Sequence, residues 1–224
     1  MPDLKDELHS KLRDGRATML AKLDGLSEYD RRRPMTPTGT NLLGLVKHLA
    51  GLEYGYLGES FGRPAADTLP WYADGSVWED ADMWARPEES TEYLTGLYRR
   101  ACGHADETIA TLGLDAPGSV PHWPADRRNT TLGVLLIRMV AETAQHAGHA
   151  DIVRELIDGK GGPDQGDIDE STWRAYTAQV QTAADTFAPG SEEQPGALAP
   201  RAEKVLRESF DRIYRELLSR NDLC

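Results

Sequence analysis

The sequence predicts an all-α fold. Leucine, alanine and arginine recur three and four residues apart through most of the chain, as a helix with one buried face requires. Alternating apolar and polar runs, which a half-buried strand needs, are scarce. The 224 residues suit one domain of ordinary size, or one domain with an appendage.

A first helix is expected over residues 4–26, with Leu4, Leu8, Leu12, Met19, Leu23 and Leu26 facing the core. His9 falls among its charged positions and reads as solvated. The segment EYDRRRPMTPTGT carries two prolines and a glycine and is expected to be irregular. A second helix runs from about Asn41 to Phe61, capped by Thr40. Leu42, Leu45, Leu49, Leu52 and Tyr56 form its apolar stripe, and His48 sits at the stripe's edge. Gly44, Gly51, Gly55 and Gly58 form a second line within about 60° of arc. Each costs roughly 1 kcal/mol relative to alanine inside a helix, so the line needs a reason. A neighbouring helix packed very close, room kept around His48, or fraying near Gly55 would each supply one.

Residues 62–88 hold Pro64, Pro70, Gly75 and Pro87 and no convincing helix. Trp71, Trp78 and Trp84 are too apolar for a loose surface loop and read as anchors of a segment folded over one end of the bundle. Loops of this length are often lids, an ordinary packed crossover being the alternative. Thr91–Leu112 is the third helix, with Leu94, Leu97, Tyr98, Ala101, Ala105, Thr108, Ile109 and Leu112 facing the core. His104 lies in that face without a ligand-type neighbour and reads as a supporting core histidine. Cys102 points off the stripe with only Arg99 as an activator, and is not assigned as a nucleophile. Residues 113–129 form an irregular connection that brings His122 and Trp123 near the start of the fourth helix. Arg127 and Arg128 read as surface charges within reach of an anionic substrate.

The fourth helix, Thr130–Gly159, is the most informative. Leu135, Met139, Val153 and Leu156 stack on one face, and Glu142, His146 and His149 interrupt it within roughly 60° of arc. Burying three such groups unpaired would cost several kcal/mol. A divalent ion compensates: a carboxylate and an imidazole one turn apart reach one ion, and a ligand from another helix completes the set. His48, at the border of a core stripe beside cleared space, has the character of that ligand. The alternative is a buried hydrogen-bonded cluster in which Glu142 pairs with a protonated His146.

Beyond Gly159, GKGGPDQGDIDES reads as a flexible acidic turn and Thr172–Ala184 as a short helix. Residues 186–200 have linker composition. Within 201–224, Arg201–Arg220 forms an amphipathic helix that docks on the bundle or pairs two chains as a homodimer. The expected organisation is a bundle domain over 1–185, the linker, and this last helix. A net charge of −12 and a pI near 4.9 argue against nucleic-acid and anionic-membrane partners. No apolar run approaches the roughly 18 residues of a membrane span. Two distant cysteines and the charged start MPDLKDELHSKLRD point to the cytoplasm.

MTPTGTNLLGLVKHLAGLEYGYLGESFGRP and MVAETAQHAGHADIVRELIDG resemble the DinB/YfiT-like superfamily of metal-binding four-helix bundles. Within it the similarity is to the actinobacterial branch that includes mycothiol-dependent maleylpyruvate isomerase, and it covers residues 1 to about 185. The resemblance implies a DinB-like bundle with long loops; the segment after about 190, with the extra C-terminal helix expected there, is not part of the family pattern. It implies that His48, Glu142 and His146 hold a divalent ion, zinc or nickel, with His149 as a fourth ligand or a support. It further implies that this ion activates a small thiol, mycothiol, which attacks a small electrophile in an S-transferase or isomerase reaction. The chain has no suitable cysteine of its own, which fits a thiol supplied as cosubstrate. A non-catalytic metal-binding stress-response dimer and a hydrolase using metal-bound water are the alternatives.

Overall fold

The computed structural model describes residues 3–66, 68–160 and 169–188. By its internal contacts the chain divides into two units, residues 1–165 and 166–224. In the first, four long helices make the bundle: α1 (Leu4–Ala21), α3 (Leu42–Leu57), α5 (Thr91–Thr111) and α6 (Leu132–Asp158). α3 packs against both α5 and α6, and α1 packs against α6. No helix among the described residues is long and apolar enough to cross a membrane.

The bundle is all-α as the leucine spacing predicts, with local departures that have physical reasons. α1 ends at Ala21 rather than residue 26, and Leu4, at its start, is 62% exposed instead of facing the core. A short helix, α2 (Glu28–Arg32), forms where an irregular segment was expected. Ser27 caps it by accepting from the Asp30 backbone N–H, and its charges run acidic to basic along the helix dipole. Asn41, not Thr40, caps α3, accepting from the Gly44 N–H at 2.8 Å. Beyond α3 a 3₁₀ turn spans Glu59–Phe61. The long loop contains a one-turn helix, α4 (Pro70–Ala73), and a 3₁₀ turn at Ser76–Glu79. The connection before α6 holds two three-residue antiparallel strands, β1 (Pro117–Ser119) and β2 (Asn129–Thr131), too short to show alternation in the sequence.

A buried polar clamp joins three helices. The Arg16 guanidinium donates twice to Glu53, at 2.7 Å each, and once to Asp106 at 2.6 Å. The bidentate geometry compensates the burial of both charges. Cys102 sits beside this clamp, where burial first and the Glu53 charge second push its thiol well up, so it stays protonated. In the second unit, α7 (Glu170–Asp185) is capped by Asp169, which accepts from the backbone N–H groups of Ser171 and Thr172. Most of the expected linker and the helix at 201–224 lie outside the described residues.

Candidate metal centre

α6 turns a continuous apolar face inward through Leu132, Leu135, Leu136, Met139, Ala147, Ala150 and Val153. Glu142 and His146 stand at the edge of that face, half-buried, where α6 meets α3. His48 approaches from α3. One ligand-type atom from each of His48, Glu142 and His146 lies within 4.8 Å of the others. This is the spacing at which three donors can share one ion. His149, one turn on, is exposed, with its ring centroid 5.5 Å from that of His146, and lies outside this group. The stripe is therefore less interior than its spacing suggests: Leu156 at its far end is 60% exposed.

The hydrogen bonding favours ligands over a self-contained polar cluster. His146 Nε2 lies 3.8 Å from Glu142 Oε2, too far for a hydrogen bond, and its Nδ1 is buried with no partner among the described residues. Burial first, then the neighbouring His48 and His149 rings, hold the His146 imidazole down at about 4. It is neutral at physiological pH, the form that binds metal. Glu142 keeps one oxygen towards His146 and receives Arg138 on the other, at 3.2 Å. The residues present thus fit a divalent ion: a neutral, half-buried imidazole with a buried unsatisfied nitrogen, a carboxylate, and a second imidazole.

The orientation of that second imidazole is set by a residue the sequence reading missed. Asp82, buried in the long loop, bonds His48 Nδ1 at 2.6 Å. With Nδ1–H donated to the carboxylate, the Nε2 lone pair is left for a ligand role. The loop is held in place by Lys47, which is 0% exposed. Its ammonium donates to Ala81 O at 2.8 Å, Trp84 O at 3.0 Å and Glu89 Oε2 at 2.8 Å, and sits 4.4 Å from the centroid of the Trp71 ring. Asn41 Nδ2 adds a bond to Met83 O at 3.0 Å. Of the three tryptophans expected as anchors, Trp71 is buried while Trp78 and Trp84 are 73% and 48% exposed. The ammonium ties down three loop acceptors at once, whereas an indole has a single N–H to donate.

The glycine line of α3 has its explanation here. A Cβ on Gly44 would stand 1.8 Å from Met83 O, and one on Gly51 would stand 3.0 Å from the Tyr72 ring. The neighbour packed close to this line is thus the loop rather than another helix. Gly58 is crowded by its surroundings at Tyr54, Arg63 and His104, whereas Gly55 faces open space and the helix continues through it. His104 Nε2 donates to Arg63 O, 2.8 Å away, so it is a satisfied histidine, as expected.

Loop and helix enclose a cavity of ≈ 250 Å³ with His48 and Asp82 on its wall. Tyr56, Tyr72, Trp78, Met83, Val120 and His122 supply most of the remaining surface, and Glu59 and Asp80 also line it. Trp78 and His122 meet edge to face at 5.8 Å, joining the loop to the β1–β2 connection. Arg127 and Arg128 are exposed surface charges outside this lining.

A four-helix bundle with a His, Glu, His set on facing helices and a cavity opening from one ligand defines a helical protein with a candidate divalent-metal centre. The family model described as Mycothiol-S-transferase matches residues 7–159, and the chain belongs to that family, which is DinB/YfiT-like. A solved structure described as a conserved protein of locus from Enterococcus faecalis shares the fold, with a TM-score of 0.55 and 14% identity. The likeness covers 71% of this chain and 100% of that one. No curated protein sequence matches this one.

Proposed function

We propose that this protein is a metal-dependent S-transferase in which mycothiol, or a closely related small thiol, attacks a small electrophile. The observation that carries the reading is the convergence of His48, Glu142 and His146 within 4.8 Å beside a cavity that His48 itself lines. A divalent ion there, zinc or nickel, supplies thiol activation, because a coordinated thiol loses its proton at neutral pH.

The chain's own residues do the rest. His48 and His146 offer imidazole nitrogens, and Glu142 offers one carboxylate oxygen while its other oxygen is held by Arg138. Three protein donors leave room for an exogenous group on a four-coordinate ion. His149 is proposed as a support for His146 rather than a fourth donor, since it is exposed and stands outside the group. Asp82 holds His48 in one tautomer, and the loop that carries it forms one wall of the cavity. Cys102 contributes no nucleophile, its thiol being pushed up by burial. The acidic chain with two cysteines accords with a small-molecule enzyme of the cytoplasm, without nucleic-acid or membrane partners.

The test follows free mycothiol as it is consumed with a small electrophile. Metal-loaded wild-type protein, chelated protein and His48→Ala are compared. Consumption above background only in the first is expected. Equal consumption by all three overturns the reading.

A further inference from the structure

The side chains of the cavity beside His48 are electrostatically one-sided, and the ion proposed on His48 is offset in part by Glu142. Glu59, Asp80 and Asp82 line the cavity, and among the described residues no lysine or arginine does. Asp82 is engaged by His48, but Glu59 and Asp80 are exposed, and neither has an ion-pair partner among the described residues. The segment 59–90 as a whole carries eight carboxylates and two arginines. Those arginines turn elsewhere: Arg63 pairs with Glu107 at 3.1 Å and Arg86 with Asp74 at 3.7 Å. Arg138 is outside the lining, 5.1 Å from the Tyr56 centroid and 5.2 Å from that of Trp123; it pairs with Glu142, and its charge is also felt at His122. Burial holds the His122 imidazole below its ordinary value, so it adds no positive charge at neutral pH. Burial likewise pushes the Tyr72 phenol up to about 12, leaving a hydroxyl and a ring face.

Aromatic faces and carboxylates together recognise cations and uncharged rings. Tyr56, Tyr72 and Trp78 line it with aromatic rings, and Glu59 and Asp80 add a negative potential in a partly enclosed space. Asp80 is moreover the one non-glycine residue with positive φ, 59°, among those described. The loop thus holds a carboxylate at the cavity in a conformation that most side chains avoid. A volume of ≈ 250 Å³ lies below the roughly 300–1,000 Å³ of drug-sized sites and suits one ring with short substituents.

We infer that the cavity takes a neutral or cationic single-ring aromatic electrophile and rejects anionic ones, dicarboxylates included. The inference rests on the thiol-transfer reading for calling the occupant an electrophile, but the charge selection belongs to the cavity itself.

Calorimetric titration of the full chain with three probes of similar size tests it: benzyltrimethylammonium, benzyl alcohol and benzoate, at low salt. The cation should bind about tenfold or more tighter than benzoate, with the alcohol between them. The Glu59→Gln, Asp80→Asn double variant should narrow the gap to about threefold or less. Raising salt to about 0.5 M should narrow it in the wild type, which checks the same claim without a substitution. Benzoate binding as tightly as the cation, or none of the three binding at millimolar concentration, overturns the inference. Thiol binding to the metal, measured without any electrophile, is scored separately. Thiol binding without charge preference sinks this inference alone, and charge preference without thiol binding sinks the proposed function alone.

Discussion

Gly44→Ala sets two effects of opposite sign against each other. In an open helix position alanine would stabilise by roughly 1 kcal/mol over glycine. Here the new Cβ would stand 1.8 Å from Met83 O, 2.5 Å from Met83 C and 3.0 Å from Asn41 Nδ2. Ordinary carbon–oxygen contacts are above about 3 Å, so the loop backbone must retreat by more than about 1 Å. Met83 adjoins Asp82, whose 2.6 Å bond to His48 does not survive such a shift, and the Asn41–Met83 bond lengthens with it. Overpacking against backbone costs about 1–3 kcal/mol, and each lost buried hydrogen bond roughly another 1 kcal/mol. The expected net result is a loss of about 1–4 kcal/mol in urea unfolding, with metal affinity down about 10–100-fold through the freed His48. Gly55→Ala, where nothing lies within 4 Å, is the control and should be neutral or stabilising. If Gly44→Ala stabilises like Gly55→Ala and metal affinity is unchanged, the loop does not seat on α3 as described.

Three further outcomes follow from the same contacts. Asp82→Asn should weaken metal binding about 10–100-fold in competition with a chelator, while unfolding of the metal-free protein shifts by less than Gly44→Ala shifts it. Lys47→Met leaves the Glu89 carboxylate buried without its cation and should cost about 3–5 kcal/mol in urea unfolding; a loss under about 1 kcal/mol contradicts the anchoring role. His146 sets a pH dependence whose sign follows from a folded value of about 4 against about 6.5 unfolded. Between those values the unfolded chain takes up a proton that the folded one refuses. Metal-free protein should therefore lose up to about 1.4 kcal/mol per pH unit from this group as pH falls from 6.5 towards 4, and nothing above 6.5. His146→Gln should remove that part of the slope, and parallel curves for the two proteins would refute it.

How much of this the sequence carried differs by residue. Glu142 and His146 were legible because two polar groups one turn apart interrupt an apolar helix face, a pattern with few explanations. His48 was legible at one remove, from its place at a stripe's edge beside glycines. Asp82 was not legible: it is one of eight carboxylates between residues 59 and 90, and only the fold aims it at His48. Lys47 was hidden for a related reason. A lysine in a helix reads as solvated, and its burial depends on three acceptors from a loop 34 to 42 residues further on. The glycine line showed that something approaches α3 closely, but only the structure identifies the loop as that neighbour. Leu156 and His149 were expected on the covered face and are exposed, since helical spacing cannot say where along a stripe the neighbouring helix stops covering it.

The proposed function turns on a thiol binding directly to an ion held by His48, Glu142 and His146. The most direct measurement is the electronic spectrum of Co²⁺-substituted protein titrated with mycothiol or a cysteine-based analogue. A sulfur-to-cobalt charge-transfer band in the near ultraviolet should grow to saturation with thiol, and His48→Ala should lose both stoichiometric Co²⁺ and the band. Stoichiometric Co²⁺ with no such band at saturating thiol would contradict the account.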